Sequence, residues 1–155
     1  MKSKLSTVQI GRCGELLVQY QLLTRGIESA PMTTDSGIDL VAYASDAAKA
    51  ITIQVKANLQ AKSAGGGRGK PALDWWIDIE TPAELVAFVN LSDQSTWLFK
   101  LHEIAKLAQQ QSSGRYHLYM YTDPSAKPSK PDRKVHQHEF ESFRLENRTH
   151  LIFGR

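Results

Sequence analysis

The run ITIQVKA (51–57) sets apolar Ile51, Ile53 and Val55 against polar Thr52, Gln54 and Lys56 in strict alternation. A period of two is that of a β-strand with one apolar and one polar face. Such a strand needs a neighbour to satisfy its backbone, and GIDLVAY (37–43) is a second strand-like run just before it. The connection 44–50 holds Asp46 and small residues, which suit a hairpin turn. Gln54 and Lys56 lie two apart, so they share a face with Cα atoms roughly 6.5 Å apart. Asp39 points away from the side of Ile38 and Leu40, and pairing of the two strands can bring it beside Gln54 and Lys56.

Residues 6–25 carry helical spacing instead. Ile10, Cys13, Leu17 and Tyr20, with Leu16 and Leu23 at the edge, form one apolar stripe. Gly11, Val18 and Leu22 form a narrower stripe on the opposite side, and Glu15 belongs to it. A helix apolar on two sides is expected to be covered on both. Gly11 and Gly14 each cost helix propensity of about 1 kcal/mol, a cost that makes sense where another backbone packs close. Gly26 then ends the helix.

Further along, 27–32 reads as an edge strand closed by Pro31, and the Gly-, Lys- and Arg-rich segment 60–72 as a mobile loop. WWIDI (75–79) reads as a strand or a short helix. Thr81-Pro82-Ala83-Glu84 has the pattern of a capping box that starts a helical turn. LVAFVNL (85–91) and TWLFKL (96–101) make a hairpin, 102–111 an amphipathic helix through Ile104, Leu107 and Ala108, and YHLYMYT (116–122) another strand. Residues 123–134 read as a loop or basic arm, and 139–153 has no clear period. The order predicts one α/β domain over 1–155, a mixed β-sheet core flanked by helices.

Chemistry enters with four residues: Glu15 in GRCGE (11–15), Asp39 in DSGIDL (35–40), and Gln54 and Lys56 on the alternating strand. Two carboxylates, a carbonyl oxygen and an ammonium are what metal-assisted phosphodiester hydrolysis requires. Asp39 would be the principal metal ligand, with the Gln54 side-chain oxygen and the Val55 backbone carbonyl adding to it. Glu15 would hold the metal's water or a second ion. Lys56 would orient the attacking water and stabilise the charge of the transition state. The formal net charge of +3 suits a polyanionic partner.

On these residues the chain resembles the PD-(D/E)XK, or restriction-endonuclease-like, nucleases, and in particular their small Holliday-junction-resolvase-like and homing-endonuclease-like members. The matching elements are the GxxGE helix start from Gly11 to Glu15, Asp39 within SGIDL, and Gln54-Val55-Lys56 as a Q-x-K variant of the third motif. The resemblance covers about residues 8–58. It implies a Mg²⁺-dependent DNA endonuclease, with Mn²⁺ as a substitute, working on duplex or branched DNA as a homodimer or homotetramer. Gln54 stands where the family has an acid, and this removes a negative charge from the metal site. A nuclease-fold nucleic-acid-binding module without turnover is therefore the second reading. An RNA-processing nuclease would change the substrate and keep the site.

Other motifs carry less. GGGRGK (65–70) fails the phosphate-loop pattern, with Ala64 and Pro71 where Gly and Ser or Thr are needed. Within a nuclease, Arg68 and Lys70 become phosphate contacts, and Lys127, Lys130, Arg133 and Lys134 a second set. Trp75 and Trp76 face opposite sides of a strand, one toward the core and the other toward a base or a subunit interface. His136 and His138 lack a third metal ligand, and Asp78 with Glu80 is a competing acidic pair. Cys13, the only cysteine, excludes an internal disulfide. With no apolar run of transmembrane length and no signal-peptide pattern at the start, the expected location is cytoplasmic.

Overall fold

A computed structural model describes residues 4–44, 46, 49–128 and 132–154. Helix α1 (Thr7–Leu23) starts at a capping box: the Ser6 hydroxyl accepts the Gln9 N–H, and the Gln9 side chain accepts the Ser6 N–H. Strands β1 (Ile27–Pro31), β2 (Leu40–Ala44) and β3 (Ile51–Asn58) follow. Then come β4 (Lys62–Ser63), β5 (Pro71–Asp78), β6 (Leu85–Asn90) and β7 (Ser95–Lys100). Helix α2 (Leu101–Leu107), β8 (Gln110–Ser112), β9 (Arg115–Tyr121), a 3₁₀ segment (Gln137–Phe143) and helix α3 (Leu145–Phe153) complete the order.

The strands form two sheets. One has five strands in the order β1-β2-β3-β6-β7, in which β3 and β6 are parallel and the other pairs antiparallel. The other has four strands in the order β4-β5-β9-β8 and is antiparallel throughout. The alternation of β3 decides how they stack. Ile53 and Val55 pack with Val18 and Leu22 of α1, and Leu145 and Phe153 of α3 join that core. On the other face of the five-stranded sheet, Val86, Phe88, Trp97 and Phe99 meet Leu73, Trp75, Ile77, Leu118 and Met120 of the second sheet. Trp75 lies parallel to Phe88 at 4.8 Å between ring centroids. Strand β6 is buried along its whole length because it has a core on each side.

Helix α1 approaches β3 unusually closely. A Cβ on Gly14 would lie 2.6 Å from the Ala57 Cβ, so this position tolerates no side chain without a shift. The narrow stripe, with Gly14, Val18 and Leu22 buried, is therefore the one that packs. The wide stripe is covered only along one edge: Leu17 packs against the core, while Leu16, Tyr20 and Leu23 are exposed. Helical periodicity marks both stripes but does not weigh closeness of approach, and the glycine decides it.

Three further expectations change, and one segment without a clear period gains structure. Residues 62–72 close as a β4–β5 hairpin rather than an irregular loop. Its turn is made by Gly65, Gly66 and Gly67 at φ of 59°, 72° and 93°, a left-handed stretch that only glycine adopts freely. Thr81–Glu84 forms no helical turn. The Thr81 hydroxyl accepts the Ala83 N–H and is drawn to Gln54, while Glu84 pairs with Lys49. Helix α2 stops at Leu107, since the Gln109 side chain bonds the Tyr119 backbone and Gln110–Ser112 joins β9. The tail forms the 3₁₀ segment and α3 on either side of an extended Arg144, tied by a two-contact Arg148–Glu103 ion pair at 2.7 and 2.9 Å.

Candidate active site at a strand fork

The β2–β3 ladder runs for three residue pairs, from Ala42 opposite Ile51 to Leu40 opposite Ile53, and then the strands part. Asp39 stands at the fork, just before β2 rather than within it. Its N–H donates to the Ile53 carbonyl at 2.9 Å, and its carbonyl accepts the Met32 N–H at 2.9 Å. Its backbone is thus held from both sides. The carboxylate takes over where the ladder fails: Asp39 Oδ2 accepts the Val55 N–H at 2.7 Å, a place that a carbonyl of the departing strand would otherwise fill.

Gln54 and Lys56 point away from the face on which α1 packs, as the alternation of β3 dictates. Helix α1 lies on the opposite face, over Val55 and Ala57. The fork lets the two sides communicate. Glu15 follows Gly14 on α1 and lines the same open cleft, of about 880 Å³, as Asp39, Gln54, Val55 and Lys56. All four residues singled out in the sequence thus reach one cavity.

Their electrostatics are unequal. Burial pushes the Asp39 carboxyl above its usual value, and the charges of Glu15 and Asp35 push the same way. The Val55 N–H and the Lys56 charge oppose this without cancelling it. Glu15 is paired to Arg12 at 2.8 Å. Gln54 Oε1 accepts the Thr81 hydroxyl at 2.8 Å, so its oxygen has one lone pair already committed. Among the described residues Lys56 has no ion-pair partner within 4 Å, and no three His, Cys, Asp or Glu side chains form a metal-binding group. The oxygen donors at the fork are the carboxylates of Asp39, Glu15 and Asp35, the Gln54 side-chain oxygen and backbone.

The residues expected to touch DNA lie elsewhere. Arg68 follows the glycine turn and is exposed. Lys70 pairs with Asp123 at 3.3 Å. Arg133 Nη1 donates to the Ala108 carbonyl at 2.9 Å, and the Lys134 carbonyl accepts from Gln109. Lys130 falls outside the described residues. Arg68, Lys70, Arg133 and Lys134 do not line the cleft, whose basic residues among the described ones, besides Lys56, are Lys4, Arg12 and Lys62. Asp78 is spent on a turn, accepting the Glu80 N–H, and His136 is held by Glu139 and the Ala126 carbonyl. Thr81 and Lys62 were missed. No local pattern links Thr81 to Gln54, and Lys62 lies past the end of β3, on β4 of the other sheet, where strand phase does not place it.

No protein-family model matches the chain, and no curated protein sequence matches it significantly. Solved structures do. A bacterial homing endonuclease, I-Ssp6803I, aligns over 97% of this chain and 94% of its own at 16% identity, with a TM-score of 0.61. Hjc, a Holliday junction resolvase from the archaeal hyperthermophile Archaeoglobus fulgidus, aligns over 70% of this chain and 82% of its own at 14% identity, with a TM-score of 0.48. The first alignment establishes a shared fold over nearly the whole chain. The mixed sheet flanked by helices, expected from the sequence, is the architecture found, and no described helix is long and apolar enough to cross a membrane.

Proposed function

We propose that this protein is a metal-dependent endodeoxyribonuclease whose active site is the fork between β2 and β3. The observation that carries the reading is Asp39. It is a half-buried carboxylate whose charge the chain leaves undercompensated, in a cleft that it shares with Glu15 and Lys56. The fold shared with a bacterial homing endonuclease supports it.

The donors fit a hard cation such as Mg²⁺ or Mn²⁺, being all oxygen: Asp39, Glu15, and the Val55 carbonyl, which leaves β3 on the same edge as the N–H bound by Asp39. Gln54 has an oxygen lone pair left beyond Thr81. When bound, such an ion polarises the phosphodiester and makes a nucleophile of water at neutral pH. The chain's own residues then have distinct tasks. Lys56, with no ion-pair partner within 4 Å, orients the incoming water and faces the charge that grows on the phosphate. The Val55 N–H fixes one oxygen of Asp39 so that the other points into the cleft. Arg12 holds Glu15 and limits the rotamers through which it can reach the site. Cutting both strands with one cleft per chain calls for two copies.

The Thr81–Gln54 hydrogen bond favours one rival, a nucleic-acid-binding module of the same fold without turnover. The assay that separates them offers linear duplex, four-way junction and single-stranded DNA with Mg²⁺ or Mn²⁺. Cutting that Asp39→Ala and Lys56→Ala both abolish is the expected result. Cutting indifferent to both substitutions would sink the site, and binding without cutting under either metal would select the module.

A further inference from the structure

The inner face of the four-stranded sheet is closed by the core, and on its outer face Trp76, His117, Tyr119 and Tyr121 stay partly exposed, with His136 alongside Tyr121 at 6.3 Å. That face carries a row of rings. Trp76 stacks on His117 across the β5–β9 pair, centroids 4.1 Å apart and planes within 1°. His117 is 5.6 Å from Tyr119, and Tyr119 5.6 Å from Tyr121, the last two at 72° to each other. Rings on such a surface could serve only to stabilise the strand pair, and the Trp76–His117 stack does so. Tyr119 and Tyr121 are different, because their mutual tilt leaves π-faces unstacked.

The row is flanked by positive charge. Arg115 lies over Trp76 at 5.1 Å, and the Arg133 charge is close enough to act on the Tyr119 hydroxyl. Of the two carboxylates on the face, Asp74 is matched by His117 at 3.0 Å and Asp78 stands opposite Arg115 in register. The row is also continuous with the cleft. Lys62 lines the cleft and pairs in register with Ala72, which on its other side pairs with Tyr121. Asn58, at the cleft's rim, donates to the Asp74 carbonyl at 2.8 Å.

Rings with open faces between cationic side chains suit stacked bases with their phosphates alongside. A duplex hides its base faces, whereas an unpaired strand presents them. We infer that the outer face of the β5–β9 pair is a binding track for unpaired nucleotides, with Tyr119 and Tyr121 stacking on bases and Lys62 carrying the backbone toward the cleft. This rests on the nuclease reading for its direction, and it specifies the substrate: DNA that is single-stranded, branched or frayed beside the cut.

Binding is tested in EDTA, where metal-dependent cutting does not occur. A labelled single-stranded DNA 12-mer and the matching duplex are titrated into the full chain and followed by anisotropy and tryptophan emission. Trp75 and Trp97 are buried, so Trp76 is the tryptophan placed to report. The single strand should perturb emission, and Trp76→Phe should remove that signal while the anisotropy change persists. Tyr119→Leu with Tyr121→Leu should weaken single-strand binding by tenfold or more and erase preference over duplex, with circular dichroism verifying the fold. Lys62→Gln, a surface change that leaves the rings in place, should lower the salt dependence of binding by about one charge. Unchanged single-strand affinity in the tyrosine double variant overturns the track. A wild-type dimer that the same substitutions dissociate, seen by sedimentation, also overturns it, by making the face a contact between copies. Metal-dependent cutting is scored separately. Cutting with no tyrosine effect on binding removes the track and leaves the nuclease. Tyrosine-dependent binding without cutting removes the nuclease and leaves the track.

Discussion

Asp39 and Asp74 stand on different sheets, and their surroundings treat the carboxylate charge in opposite ways. Around Asp39 the dominant influence is burial, which raises its pKa, and Glu15 and Asp35 add to it. At Asp74 the hydrogen bond from His117 dominates and holds the carboxyl below its usual value. The difference traces to the ladders. Strands β5 and β9 pair over seven residues, so their backbone groups satisfy one another and side chains pair above them. Strands β2 and β3 pair over three, and a carboxylate has to complete the pattern. A continuous ladder makes a wall, and an interrupted one leaves a charged group facing a cleft.

The contrast breaks most severely if the wall is removed. Trp75→Ala deletes the ring stacked on Phe88 between the two sheets and should cost about 3–5 kcal/mol of stability, read from urea unfolding. Asp39→Asn should do the reverse of a structural lesion. The amide oxygen can still accept the Val55 N–H, and the costly charge disappears. Melting temperature should hold or rise by a few degrees, roughly 2–4 °C per kcal/mol, while cutting falls about a thousandfold, or ~4 kcal/mol. A parallel loss of stability and activity would make Asp39 a scaffold residue.

Gly14→Ala drives a methyl to 2.6 Å from the Ala57 Cβ and should destabilise by roughly 1–3 kcal/mol. Gly11→Ala, with nothing within 4 Å, should stabilise by up to about 1 kcal/mol. If both behave alike in thermal unfolding, close helix approach is not what positions the fork. Gln54→Glu places a further acid in the cleft that Asp39 lines. It should lower stability without metal and raise Mn²⁺ affinity by roughly tenfold, about 1.4 kcal/mol, measured by calorimetry.

The smallest effect is in acid. Asp74, its pKa depressed in the fold, contributes stability above its ordinary value of 3.8 and loses it as pH falls through the lower folded value. Its side chain is half exposed, so the contribution stays below about 1 kcal/mol. Asp39 runs the other way. Its raised pKa gives a contribution present below 3.8 and lost as pH rises through the folded value. Acid titration of stability in Asp74→Asn and Asp39→Asn should therefore deviate from the parent in opposite directions.

These contrasts also mark what was legible beforehand. The phase of Gln54 and Lys56 could be read because alternation is local. Asp39 followed because a hairpin ties its position to theirs. The side from which α1 comes could not be read, because two stripes compete and a single missing Cβ chooses between them. Thr81 resembled a helix cap since nothing nearby shows that its hydroxyl serves a side chain 27 residues earlier. Basic residues in the loops read as phosphate contacts from charge alone, which does not record that Lys70 faces Asp123 and that Arg133 reaches the Ala108 carbonyl. Charge composition does not record partners.

The contact between Gly14 and Ala57 has an evolutionary corollary. These two positions share a volume that holds one methyl group and no more, and each adjoins a residue of the cleft, Glu15 on one side and Lys56 on the other. Their mutational histories are therefore coupled. A Gly14→Ala lineage should therefore follow Ala57→Gly, because Gly14→Ala on its own presses the helix off the strand and shifts an acid and a base relative to each other.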